Sequence, residues 1–296
     1  LIARDRPAVG AHCLISGFED SPDAWATPTV LSSEAVAYLN GVTELPSSCT
    51  ERLDFFLPAV FADDLLIAED AYNEFARTEL TPIMQLGPKL DRERIRNELD
   101  REQAAGHRRG LMWTMLSACG NADDLAFTRR VLDQARSGER PHRGLDAVFS
   151  CYLTLGGETA LQAMETEWLI DSTANYSETY SAIQAIRIHG QELERLPRDR
   201  LAAAMRHVLA RPDLADLVIP DLARWQDWSC LDRLAELVET MDDKTEFLVA
   251  PIVAYLQVCP LPEAEKVLAR VTELRPDAVR RAKIFASLSE FDDTDQ

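Results

Sequence analysis

Histidines, cysteines and adjacent carboxylates are the residues of this chain that could carry metal, redox or acid–base chemistry, and their spacing argues against each familiar use. The five histidines, His12, His107, His142, His189 and His207, include no pair at the spacing that places two imidazoles on one helix face. No metal site is expected from them. Six cysteines, at 13, 49, 119, 151, 230 and 259, stand at least 29 residues apart, which excludes a compact zinc knuckle or a C-x-x-C redox pair. Cys119 with the distant His142 would be the one conceivable thiol nucleophile. Inert buried thiols are the expectation instead, because Cys119, Cys151, Cys230 and Cys259 lie in apolar helical stretches. The carboxylate pairs Asp63 with Asp64, Glu69 with Asp70, and Asp242 with Asp243 are read as helix caps, where an acidic oxygen satisfies free N–H groups at a helix start. H-E-x-x-H, G-x-S-x-G, P-loop and G-x-G-x-x-G sequences are all missing. The expectation is therefore no catalytic, metal or cofactor-binding set. A hydrolase would need a closed α/α toroid with two carboxylates about 5 to 10 Å apart at its mouth, and that is the alternative reading.

The elements that would position any site are helices. Hydrophobic residues make up 46% of the chain, charged residues 27%, and there are 12 glycines, so a large core can form while many-stranded folds lack their turns. The net charge of -19 would repel a phosphate backbone, so nucleic acid is not an expected partner. Fourteen acidic residues against four basic ones in positions 1–80 make the acidity regional, while Lys89 and six arginines enrich positions 81–110 as a mixed, solvated face. No apolar run approaches the roughly 20 residues of a transmembrane helix.

Val9 to Phe18 predicts a strand, Pro22, Trp25 and Pro28 a loop, and a helix is expected to start near Ser33. Ser48 with Glu51 forms a capping-box pattern. From there periodicity predicts helix pairs at 51–61 with 64–78, 91–101 with 105–118, 122–136 with 143–155, 157–169 with 176–189, 198–210 with 213–226, 229–240 with 243–258, and 262–273 with 276–288. A short helix is expected before Pro88. Pro212, Pro276, and Ser229 with Asp232 mark helix starts. Pair starts recur every 31 to 41 residues, the spacing of hairpins that bury their apolar faces only by stacking on neighbours. Trp225 and Trp228 are expected to anchor that core, and Glu290, Asp292, Asp293 and Asp295 to form a solvated tail.

Residues 52–78, RLDFFLPAVFADDLLIAEDAYNEFART, resemble a HEAT repeat, with Pro58 late in the first helix and Asp63 in the turn; Asp70 stands where that family often carries a basic residue. More broadly, DAYNEFA, GLMWTMLSACG, CYLTL, ADLVIPDLARWQDWS and CPLPEAEK look like segments of an uncharacterised group of exported bacterial HEAT-like proteins, in which a leader and a small β domain precede the helices. The resemblance implies an all-α, right-handed solenoid of about seven stacked hairpins over 46–289, after an irregular or β-containing segment over 1–45 and before an acidic tail over 290–296. It also implies export to an extracytoplasmic compartment; without it, a cytoplasmic protein is expected. The chain opens at Leu1, which leads to the expectation of an upstream leader or domain.

In such stacks the second helix of each pair lines the concave side. Here those helices carry Asp70, Asn73, Glu74, Arg109, Trp113, Gln184, Arg187, Asp221 and Arg224, a row expected to bind a protein segment in a mixed-charge groove. The competing expectation for the same residues is an internal ladder of paired charges between neighbouring hairpins. The functional expectation is a non-enzymatic protein-binding or scaffolding module.

Overall fold

A computed structural model describes residues 7–15, 17–18, 21–46, 49–101, 108–139 and 144–292, with side chains outside the description at 18, 21–24, 49–50 and 285–292. The described residues are predominantly helical, with fifteen α-helices, and they fall into two compact units, 1–83 and 84–296.

In the first unit, the expected single strand is replaced by two short antiparallel pairs. Strand β1 (Cys13–Leu14) pairs with β4 (Thr29–Val30), and β2 (Gly17–Phe18) pairs with β3 (Ser21–Trp25) across an irregular register. Pro22 is tolerated because β3 is an edge strand with a single partner. Helix α1 (Ser33–Thr43) starts where expected, since the Ser32 hydroxyl accepts a hydrogen bond from the Ala35 amide. It is followed by α2 (Cys49–Ala59) and α3 (Leu65–Ala76), with α4 (Leu80–Gln85) spanning the boundary between units. Ser48 lies outside the described residues, so its capping box does too. Pro58 sits at the end of α2, and Asp64 caps α3 by accepting from the Leu66 amide at 2.9 Å. Tyr38, Phe55 and Phe56 pack together, with ring centroids 5.3 to 6.2 Å apart. Gly41 admits that cluster, because a Cβ there would lie 2.8 Å from the Phe55 ring.

In the second unit, α5 (Arg92–Asp100) packs on α6 (Arg108–Cys119), and α7 (Ala122–Arg136) on α8 (Leu145–Met164). The break expected between 155 and 157 is real: Gly157 takes φ 55, ψ -134 and kinks α8 there. A π-helical turn, Glu165–Ile170, continues α8, and another, His189–Leu193, continues α9 (Tyr176–Ile188). Then come α10 (Arg198–Arg206), α11 (Ile219–Arg224), α12 (Leu231–Thr240), α13 (Val249–Val258), α14 (Pro262–Leu274) and α15 (Pro276–Asp292). Helix α6 packs on α8, α11 on α13, α12 on α14 and α13 on α15, so each meets the helix two places later.

Two boundaries need correction. The helix expected over 213–226 is a short 3-10 turn, Ala215–Leu217, followed by the six residues of α11, because Pro220 cannot donate to a preceding turn and is accepted only at a helix start. Pro212 therefore does not open a helix. The start assigned to Ser229 with Asp232 is made instead by Asp227, whose carboxylate accepts from the Ser229 amide and hydroxyl.

Burial settles the thiols. Cys151, Cys230 and Cys259 are buried and unbridged, whereas Cys119, the last residue of α6, is half-buried. Burial pushes the Cys151 thiol up to about 12 and the Cys119 thiol up to about 11, suppressing the reactive thiolate. A maleimide at neutral pH is expected to leave Cys151, Cys230 and Cys259 unmodified until denaturant is added. Mass-spectrometric detection of label on any of the three in the native protein would count against this packing.

Candidate functional site

The polar row divides among several local structures. In the first unit, Asp70 accepts from the Tyr38 hydroxyl at 2.9 Å, and Glu74 pairs with Arg52. Asn73 lies on α3 between them, is exposed and takes no part in either pair. Asp70 is thus no cap: it sits inside α3, and its partner is on α1. Desolvation of the phenol, aided by this carboxylate, raises the Tyr38 pKa far above its usual value.

In the second unit, Arg109 donates from α6 to the carbonyls of Leu99 at 2.9 Å and Arg101 at 3.1 Å, closing the end of α5. Trp113 belongs to the core, 2% exposed and stacked on Phe127 with centroids 5.4 Å apart. The remaining four residues come together. Arg187 on α9 reaches Asp221 on α11 at 2.6 Å, donates to the Leu217 carbonyl, and donates to Gln184 Oε1 at 2.8 Å. Arg224 approaches the same carboxylate at 2.8 Å from the other side. Asp221 is 1% exposed, Arg187 26% and Arg224 58%, so one buried anion faces two cations and the cluster carries a surplus positive charge.

That cluster is one rung of a series. Arginines of the second unit bridge carboxylates roughly one hairpin away in sequence: Arg92 and Arg96 to Asp124 at 2.9 and 2.6 Å, Arg129 to Glu167 at 2.7 Å, and Arg136 to Asp171 at 2.7 Å. Arg200 reaches Glu165 at 2.6 Å, Arg270 reaches Glu239 at 2.7 Å and Arg281 reaches Glu246 at 2.9 Å. Sequence separations run from 28 to 38 residues. Arg129 and Arg136 also lie 5.3 and 5.6 Å from the Trp168 ring centre, over a buried indole that donates to Glu178 at 3.0 Å.

Of the carboxylates expected as caps, Asp64 and Asp242 are used structurally, whereas Glu69, like Asp70, lies inside α3. Asp64 caps α3 and also accepts from Ser32, and Asp242 gathers the Lys244 and Thr245 amides in a tight turn. Among the described residues no three histidines, cysteines or carboxylates are grouped to hold a metal. His189 is buried, its Nε2 3.2 Å from the Ser150 carbonyl and the Thr154 hydroxyl; burial lowers its pKa to about 4, so the ring is neutral near pH 7. Trp225 covers this turn, and Gly190 is required there because a Cβ would lie 2.4 Å from the indole.

On the other flank of α11, a groove of about 400 Å³ opens between α11 and α13. Its walls are Ala223, Trp228, Pro251, Ala254 and Tyr255, with Val258 61% exposed at one edge and Arg224 at the other. Trp228 stands edge-on to Tyr255 with centroids 5.2 Å apart, which fixes the floor. Tyr176 and Tyr180 stack on the exposed face of α9, two turns and one turn before Gln184. Helix α13 falls inside the helix expected over 243–258, but its groove residues and the tyrosine pair stand outside the expected polar row. A usable signal was present: VAPIVAYLQV is ten residues without a charge in a chain that is 27% charged, and Tyr176, Tyr180 and Gln184 recur every fourth residue.

Compared with known proteins, the chain matches no family model, no curated protein and no solved structure. No helix among the described residues is long and apolar enough to cross a membrane.

Proposed function

We propose that the chain is a non-enzymatic protein-binding module in which the second unit forms a right-handed, HEAT-like stack of hairpins and presents its second helices, α9, α11 and α13, to a partner protein. The observation that carries this reading is the exposed apolar and aromatic side chains of those helices, Tyr176, Tyr180, Ala254 and Val258, with the half-buried Pro251, set beside Arg187 and Arg224. Helices packed on the helix two places later, tied by arginines one hairpin apart, support the stack. Stacked hairpins hold such residues in a rigid row, and aromatic and arginine side chains are those on which binding energy concentrates. Asp64 and Asp242 serve a cap and a turn, and Asp124, Glu165, Glu167 and Asp221 serve as arginine partners, which leaves the hydrolase alternative the weaker reading.

A photo-cross-linking residue in place of Tyr180 or Gln257, in the organism that makes the protein, is expected to yield the same discrete heterologous adduct from both positions. The exposed Lys266 on α14 is the comparison. Identical adducts from Lys266, or none from any position, would overturn the proposal.

A further inference from the structure

We infer that the groove between α11 and α13 receives a short, extended, apolar peptide segment of another protein whose acidic side chain pairs with Arg224; this rests on the protein-binding reading above. Three observations meet at the groove. Its lining is apolar apart from Arg224 and the amide of Gln226, so it favours small hydrophobic or proline side chains over a charged chain. The charge at its edge is positive in a protein whose net charge is -19, because Arg187 already neutralises Asp221 and leaves the mostly exposed Arg224 in surplus. Along α13 its lining runs from Pro251 to Val258, about 10 Å of helix, the reach of about three residues of extended chain.

A carboxylate presented beside that apolar run would find Arg224 at the rim, where a guanidinium gives directional, charge-assisted hydrogen bonds. A nucleic acid fits the same site poorly. One arginine on an apolar groove offers a single phosphate contact, whereas backbone binding relies on several. Val258 and Ala254, both exposed, are the side chains that such a segment would cover.

The test is to pan the full chain against a phage library of random dodecapeptides joined to the coat protein at their C-termini, so that no free C-terminal carboxylate takes part. Enriched peptides are expected to carry Asp or Glu beside two or more apolar or proline residues. Synthetic versions should bind at least tenfold more weakly to the A254E/V258E variant, whose exposed sites leave the circular dichroism spectrum and denaturation midpoint unchanged. They should also lose most of their salt dependence on Arg224→Gln. Enrichment of basic peptides, or binding indifferent to A254E/V258E, would overturn the groove while leaving the protein-binding reading in place. Failure to enrich any peptide also overturns the groove, while the cross-linking from Tyr180 and Gln257 decides the protein-binding reading separately.

Discussion

Replacing Asp124 by Ala is expected to lower the free energy of unfolding by about 3 kcal/mol, read from denaturant midpoints at constant m-value. The carboxylate is fully buried and serves three partners: Arg92, Arg96, and the Asn121 amide at 2.9 Å, the last being half of the capping box of α7. Arg96 also lies flat over Phe127, 3.9 Å from its ring centre, so it is held in place when its anion is removed. Both arginines keep some access to water, which places the loss at the lower end of that for breaking a buried pair. Burial raises the Asp124 pKa, but hydrogen bonds from Arg96, the Asn121 backbone and Arg92 outweigh it and hold the value below the ordinary carboxylate range. A lowered folded-state pKa means that this contribution is complete above the ordinary carboxylate range and disappears as pH falls through the lowered value. His189 acts in the same direction at milder acidity, since its neutral form is favoured by burial and that contribution is lost between about pH 6.5 and 4. A loss for Asp124→Ala under about 1 kcal/mol would mean that water screens the pair as at an open surface.

Arg187→Ala and Arg224→Ala should separate sharply although both arginines touch one carboxylate. Removing Arg187 takes away the closer contact to a buried Asp221 and two further hydrogen bonds, and should cost about 3 kcal/mol. Removing the mostly exposed Arg224 leaves Asp221 paired, and should cost about 0.5 kcal/mol. Equal, large losses at both positions would make the cluster a purely structural ladder and deprive the groove of its cation. Equal, small losses would show that Asp221 is not sealed.

Local features were legible in the sequence because they are written over a few residues. The Ser32 start of α1, the Gly157 break in α8 and the Pro276 start of α15 all follow from backbone rules that need no distant partner. The same rules misplace α11, since Pro220 was read as part of a helix when its missing N–H limits it to a first turn. Of the polar row, Gln184, Arg187, Asp221 and Arg224 do converge, yet sequence offered no means to know that Trp113 is core or that Arg109 seals α5. Both outcomes depend on which helix faces meet. A carboxylate 34 residues from its arginine leaves no local trace of the pairing, as with Arg187 and Asp221. The α11–α13 groove is still less visible, because it consists of side chains that nothing among the described residues covers.

The segment from Glu165 to Asp171 receives arginines from both directions of the chain. Arg129 and Arg136 arrive from the preceding hairpin, while Arg200 reaches Glu165 and Arg211 reaches the Trp168 and Asp171 carbonyls from the following one. It therefore acts as a keystone for the second unit. A fragment ending before Arg200 strips Glu165 of its cover, and one beginning after Arg136 exposes Glu167 and Asp171. The shortest autonomous piece of this unit has to run from before Arg129 to beyond Arg211, whereas trimming from α15 inward sacrifices single terminal rungs such as Arg281 with Glu246.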